Sequence, residues 1–225
     1  MPISEGQIME APHDGQVAGP QRVLVTGGAG FIGSHLMTRL LRDGVDAVSF
    51  DRVDGNDIVN PSQLFQLMPG AEAVVHLAAE KSVPRSGESP DEFIWTNIYG
   101  TYNVLAEAVA AKVRRVVLIS SSSVPWGLSP YAVTKQAVEH LGEMFWKVGG
   151  LETITLRLFN VFGPGQSDGA YAAVIPMFTK ALRAQQTPVI YGDGQQTRDF
   201  TYVDNVVDAI VLALRVEKTA GEVLD

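Results

Sequence analysis

The sequence predicts an α/β fold: a doubly wound parallel sheet followed by a small C-terminal lobe. Three observations predict it. Short β-branched runs alternate with helical stripes from Arg22 to Leu158. That rhythm gives parallel strands with helices on both faces. The first run passes through clustered glycines straight into a helix. From Gly163 onward the pattern loosens into glycine, proline and short segments.

The elements follow in order. Val23-Leu24-Val25 is a buried strand that stops at glycines. Phe31 to Arg42 places Ile32, Leu36, Leu40 and Leu41 on one helical stripe, and Gly44 ends it. Ala47 to Phe50 is a second strand, ending at Asp51. Pro61 to Met68 reads as a short helix and Ala73 to Leu77 as a third strand. Asp91 to Ala111 has helical spacing through Ile94, Ile98 and Leu105. Arg115 to Ile119 is the next strand and runs into four serines. Pro130 to Val148 is an amphipathic helix. Thr153 to Leu158 alternates apolar and polar residues, as a strand does. Right-handed crossovers put the C-terminal ends of all these strands on one edge.

Composition narrows the function. The 225 residues carry a formal charge of −8, a poor field for gripping nucleic acid or an anionic membrane. Cysteine is absent, which removes disulfides, thiolate metal sites and a cysteine nucleophile, and suits a cytoplasmic protein. The apolar run Val206 to Leu214 is too short to cross a bilayer and is broken by Asp208. Residues 1–20 have no greasy segment and read as a flexible tail. The four histidines show no ligand spacing, so no metal is expected. The expected division is a dinucleotide domain over residues 21–162 and substrate-binding segments over 163–225.

Thr26-Gly27-Gly28-Ala29-Gly30-Phe31-Ile32-Gly33 satisfies two glycine spacings at once. Such a turn lets the backbone approach a pyrophosphate without a Cβ in the way and packs the helix close to the strand. The helix start then offers free N–H groups to the phosphates. Asp51, eighteen residues past Gly33, would accept hydrogen bonds from the adenosine ribose and repel a 2′-phosphate. That favours NAD over NADP, although the adjacent Arg52 weighs against the preference.

Tyr131 and Lys135 lie four apart on a helix, hence on one face. A phenol of pKa about 10 is a poor base at neutral pH. An ammonium about 5 Å away favours the phenolate by roughly 3 kcal/mol, and a positively charged oxidised nicotinamide nearby would add to that, the two together bringing the phenol near neutrality. The serines end a strand on the same edge, where a hydroxyl can hold a substrate oxygen.

Together these residues resemble the extended short-chain dehydrogenase/reductases, and within them the NAD-dependent sugar-nucleotide epimerases and dehydratases. The nearest likeness is to the UDP-galactose 4-epimerase type. The resemblance runs from Arg22 to the last residue. It implies a Rossmann-type fold with bound NAD, a nucleotide-sugar substrate and a homodimer built through the helices at 91–111 and 130–148. It implies cofactor contacts at Gly27, Gly30, Phe31, Ile32, Gly33, Asp51, Asp57, Ile58, Leu77, Ala78, Ala79, Lys81, Asn97, Tyr131 and Lys135. It makes Ser121, Tyr131 and Lys135 the catalytic set. It puts substrate contacts at Lys81, Ser121, Ser123, Tyr131, Asn160, Val174, Tyr191 and Arg198, with Arg198 pairing with the diphosphate.

The chain departs from that family pattern in three places. Only Val124 to Pro130 separate Ser123 from Tyr131, and Val124-Pro125-Trp126-Gly127 replaces the usual Val-Tyr-Gly. The stretch between Asp51 and Asp57 is short. The chain ends at Asp225, where relatives continue through more of the sugar-binding lobe. The implied activity is inversion at C4 of a UDP-hexose or UDP-N-acetylhexosamine through a transient 4-keto sugar. The rivals are a 4,6-dehydratase or decarboxylase, a reductase, and a non-catalytic NAD-binding sensor.

Overall fold

The computed structural model describes residues 19–169, 171–216 and 219–225. The expected tail, save its last two residues, lies outside them.

Six parallel strands form the main sheet in the order β2-β1-β3-β4-β5-β8. They are β1 (Arg22–Thr26), β2 (Asp46–Phe50), β3 (Ala73–His76), β4 (Arg115–Ser121), β5 (Glu152–Leu158) and β8 (Val223–Leu224). The chain leaves β1 for β2 on one side and returns to β3 on the other. That reversal opens a crevice at the carboxyl ends of β1 and β3, where ligands of such sheets bind.

Helices α1 (Phe31–Arg42) and α8 (Val203–Ala213) cover one face of the sheet; α2 (Pro61–Leu67), α5 (Thr101–Ala110) and α6 (Pro130–Gly149) cover the other. The strand pleat separates two cores. Val23, Val25, Val75, Val117 and Ile154 meet Leu36, Leu40, Val206, Val207 and Ile210. Leu24, Val74, Val116 and Leu118 meet Leu64, Val104, Leu105 and Val138. Burying each such side chain contributes roughly 1.5–3 kcal/mol before entropy is charged against it.

Two stretches differ from the sequence expectation. The helix expected over 91–111 comprises α4 (Pro90–Phe93), a widened π turn (Ile94–Gly100) and α5. Gly100 lets Ile58 pack directly on the turn: a Cβ there would stand 2.6 Å from Ile58 Cδ1 and would make that side chain shift. The other difference is the division at residue 163. Helix α8 packs into the sheet's core, and β8 pairs with β5 through Thr155 and Leu156. Buried Arg115 seals this return, donating to Glu152 and to the carbonyls of Ala213 and Val216. The appended lobe is therefore the stretch from Gly163 to Phe200, carrying α7 (Val174–Arg183). It is tied in by a small parallel pair, β6 (Val161–Phe162) with β7 (Thr201–Tyr202). The short helix α3 (Val83–Glu88), which the sequence pattern does not reveal, follows β3.

Candidate active site at the sheet edge

The glycine turn is shaped by its neighbours. Gly27 holds φ +72°, and a Cβ on it would lie 2.7 Å from the Ala78 nitrogen. A Cβ on Gly33 would lie 2.1 Å from the Gly27 carbonyl oxygen, so the helix reaches the strand only without one. Leu77 and Ala78 are pinned to β1, Leu77 N–H to the Thr26 carbonyl and Ala78 N–H to Thr26 Oγ1. This sets Leu77-Ala78-Ala79 along the turn. Gly30 begins α1 without any side-chain cap, so the N–H groups at Phe31, Ile32 and Gly33 point at an anion's place. Asp51 is held beside them: its carboxylate accepts from Ala29 N–H at 3.0 Å and from Val53 N–H at 3.1 Å. Bare glycine backbone, an uncapped helix start and a positioned acid fit the pyrophosphate and ribose of NAD.

The hydroxyl cluster stands at the end of β4. Ser123 donates to Ser121 through both its hydroxyl (2.9 Å) and its N–H (3.2 Å). The Ser121 hydroxyl interacts in turn with the Tyr131 phenol. Ser129 caps α6 by accepting from Ala132 N–H, and Phe93 meets the Tyr131 ring edge-on, which sets the entry of the helix. Lys135, one turn on, is buried and donates to the Ile119 carbonyl at 2.9 Å.

The protonation expected for this pair needs correction. Burial pushes the Tyr131 phenol above its ordinary value, and the Ser121 hydrogen bond only opposes that. Burial also pushes Lys135 down to about 8. The ammonium is turned to the β4 backbone, so desolvation outweighs the helix-face attraction that the spacing suggests.

Other expected residues are placed as follows. Asn97 is 1% exposed, and its amide is committed: Oδ1 accepts from Glu80 N–H, while Nδ2 donates to the Glu80 carbonyl and Thr134 Oγ1. It shapes the crevice wall from within. Ile58 is core, its carbonyl taken by Asn103. Asp57 pairs with Arg52, and Lys81 is exposed. Asn160 donates to the Asp199 carbonyl, joining the lobe to the sheet edge. Val174, Tyr191 and Arg198 lie exposed on the lobe. Arg198 donates to the Thr197 carbonyl and has no ion pair among the described residues.

Sequence reasoning misses two charged assemblies. Glu139 accepts from Ser120 at 2.5 Å and from Arg157 in a fork at 2.8 Å, joining α6 to β4 and β5. Its place four residues past Lys135, on the same helical face, is the signal that could have found it. The second joins Arg52 to Asp57 and Glu80 and continues from Glu80 to Arg85 and Glu92. His76 is buried between Thr26 and Thr101 and is neutral, pushed down to about 3 by burial and by the charge on Lys135. Among the described residues no cluster of metal-binding side chains is present, and no helix is long and apolar enough to cross a membrane.

A parallel sheet reversing at a glycine turn, with hydroxyls and a buried lysine on the same edge, defines the class: a dinucleotide-dependent enzyme fold of the short-chain dehydrogenase/reductase type. More particularly, the chain belongs to the NAD dependent epimerase/dehydratase family, whose sequence model matches residues 23–224. It is 34% identical to a UDP-N-acetyl-alpha-D-glucosaminuronate decarboxylase of Bacillus cytotoxicus, over 91% of this chain and 74% of the relative. It is 35% identical to a UDP-glucose 4-epimerase of Mycolicibacterium smegmatis, over 85% of this chain and 72% of that one. Its fold matches MoeE5, solved with UDP-glucose and NAD, at a TM-score of 0.79 and 37% identity, over 90% of this chain and 74% of the other. NAD is the cofactor.

Proposed function

We propose that the chain inverts C4 of a UDP-hexose or UDP-N-acetylhexosamine through a transient 4-keto sugar. The observation that carries this reading is the composition of the hydroxyl cluster. Among the described residues, Ser121, Ser123, Tyr131 and Lys135 bond to one another or to backbone, and no carboxylate bonds to any of them. One proton-transfer group suits a reaction that removes hydrogen at C4 and returns it. Eliminating water across C5 and C6 needs a further acid and base. The family resemblance implies acids just after the strand-end hydroxyl in dehydratases and decarboxylases, and here Ser122 and Ser123 stand at those places.

Bound NAD supplies the hydride acceptor and a positive charge at its ring. Tyr131 takes the proton from the sugar 4-hydroxyl and later returns it. Ser121, itself bonded by Ser123, orients that oxygen and lowers the cost of the phenolate. Lys135 fixes the α6 face and adds positive charge behind the phenol. Gly27 to Gly33 with Asp51 hold the dinucleotide, while Asn160, Val174, Tyr191 and Arg198 address the nucleotide sugar. Exposed Ile94, Trp95, Tyr99, Val133 and Met144 on the π turn and α6 support a homodimer through these helices.

NMR of a panel of UDP-sugars tests the reaction. Inversion at C4 without net consumption of dinucleotide is expected. A stable 4-keto-6-deoxy product would make the chain a dehydratase, and stoichiometric use of NADPH would make it a reductase.

A further inference from the structure

Arg52 follows Asp51 directly, and a planar cation beside the ribose acid is what a 2′-phosphate would recruit. In the structure it is turned to other partners. Nε donates to Asp57 Oδ2 at 2.9 Å, Nη1 to Glu80 Oε1 at 2.9 Å and Nη2 to Thr96 Oγ1 at 3.3 Å. Those partners come from the loop after β2, the loop after β3 and the π turn. Asp51 is meanwhile fixed at the glycine turn by Ala29 and Val53. Acid and cation, adjacent in sequence, are held to different partners.

Glu80 is the centre of the arrangement. Its peptide is gripped in both directions by Asn97, so its carboxylate is presented from a fixed backbone. Its second oxygen takes Arg85, which reaches on to Glu92. Arg52 therefore faces an anion that is itself anchored.

We propose that Glu80, with Asp57, is a specificity-determining residue of the cofactor site. By holding Arg52 on the crevice wall it leaves Asp51 alone to meet the adenosine ribose, and so turns the chain toward NAD and against NADP. The selection has two parts. Asp51 repels a 2′-phosphate directly, and Glu80 withholds the fork of donors that would offset the repulsion. The inference rests on the glycine-turn site and is independent of which sugar reacts.

The test uses 5′-AMP and 2′,5′-ADP, which report the adenosine half alone, with affinities measured calorimetrically at fixed salt. Glu80→Ala removes the anion and leaves the peptide that Asn97 grips. Its affinity for 2′,5′-ADP is expected to rise about tenfold relative to that for 5′-AMP. The gain should vanish in the Glu80→Ala/Arg52→Ala double variant. Asp57→Asn should give a smaller gain of the same sign, and it carries the test if Glu80→Ala fails to fold. An unchanged ratio in the single variants, or a gain that survives the loss of Arg52, overturns the proposal. Failure of the unaltered chain to bind 5′-AMP overturns the cofactor site itself, and the proposal with it.

Discussion

Strand β3 is buried at all four of its positions, whereas α7 buries none of its ten residues. The contrast extends to the functional groups. Asp51, Ser121 and Lys135 are held by named bonds within the dinucleotide half. Val174 and Tyr191 on the lobe are 41% and 78% exposed. Among the described residues the lobe is tied to the rest by few polar side-chain contacts: His35 to the Pro164 carbonyl, Asn160 to the Asp199 carbonyl, Gln166 to the Val161 carbonyl, and Tyr171 to Glu88. The cofactor half is thus shaped before anything binds, by packing that also stabilises the fold. With no buried residue in α7 the lobe should add little to stability, and on the reading proposed above its exposed residues address the substrate. Changes in the first region should move stability and NAD retention together. Changes in the second should move substrate affinity by itself.

The largest effect is expected from Gly33→Ala. Its Cβ would overlap the Gly27 carbonyl, and neither helix nor strand can withdraw without opening the turn. A loss of roughly 3 kcal/mol or more is expected. Thermal melting and assay of dinucleotide released from the purified protein check it together. A variant that melts normally and still carries NAD would break the coupling claimed for this half.

Tyr131→Phe should come next. Turnover is expected to fall about 10²- to 10⁴-fold, with the melting temperature and bound NAD little changed. Turnover that survives this substitution would remove Tyr131 from the chemistry, whereas a chain that binds NAD equally in both forms and turns over no sugar in either would be a dinucleotide-binding sensor.

Acid sharpens the comparison differently, through His76. Its folded-state pKa of about 3 lies below the ordinary value of 6.5. Between those limits the unfolded chain binds the extra proton, so stability falls as pH drops from about 6.5 toward 3. The slope approaches about 1.4 kcal/mol per pH unit. Urea titrations across that window should show the loss, and His76→Gln should flatten it. An equal slope in both would assign the acid sensitivity elsewhere.

How far each region was legible in the sequence follows from the same contrast. Glycine turn, Asp51 and Tyr131-Lys135 are legible because a strand-to-helix turn and a helical spacing of four fix geometry within a few residues. The Tyr131 phenol shows the limit: spacing gives the direction of a side chain, whereas its depth depends on what packs above it. Glu139 with Arg157, and Arg52 with Glu80, join residues 18 and 28 apart in the chain, so pairing is decided by the assembled sheet. The return of α8 and β8 to the main sheet was obscured for the same reason. Two paired residues in β8 are too short a strand to leave a period, and β5 alone makes them one.

Arg198→Ala carries the smallest expected effect and tests the lobe most cleanly. Arg198 is exposed and, among the described residues, its side chain bonds only to the carbonyl of its neighbour Thr197. A surface cation without an ion pair contributes little to folding, so the melting temperature and the NAD content should stay put. A guanidinium that meets a diphosphate forms a charge-assisted fork, and its loss weakens binding. KM for the UDP-sugar should therefore rise about tenfold with kcat nearly constant, the signature of an interaction shared by ground and transition states. Were kcat to fall equally, Arg198 would be acting at the reacting carbon. Were neither to move, the lobe's exposed face would be addressing something other than the nucleotide phosphates.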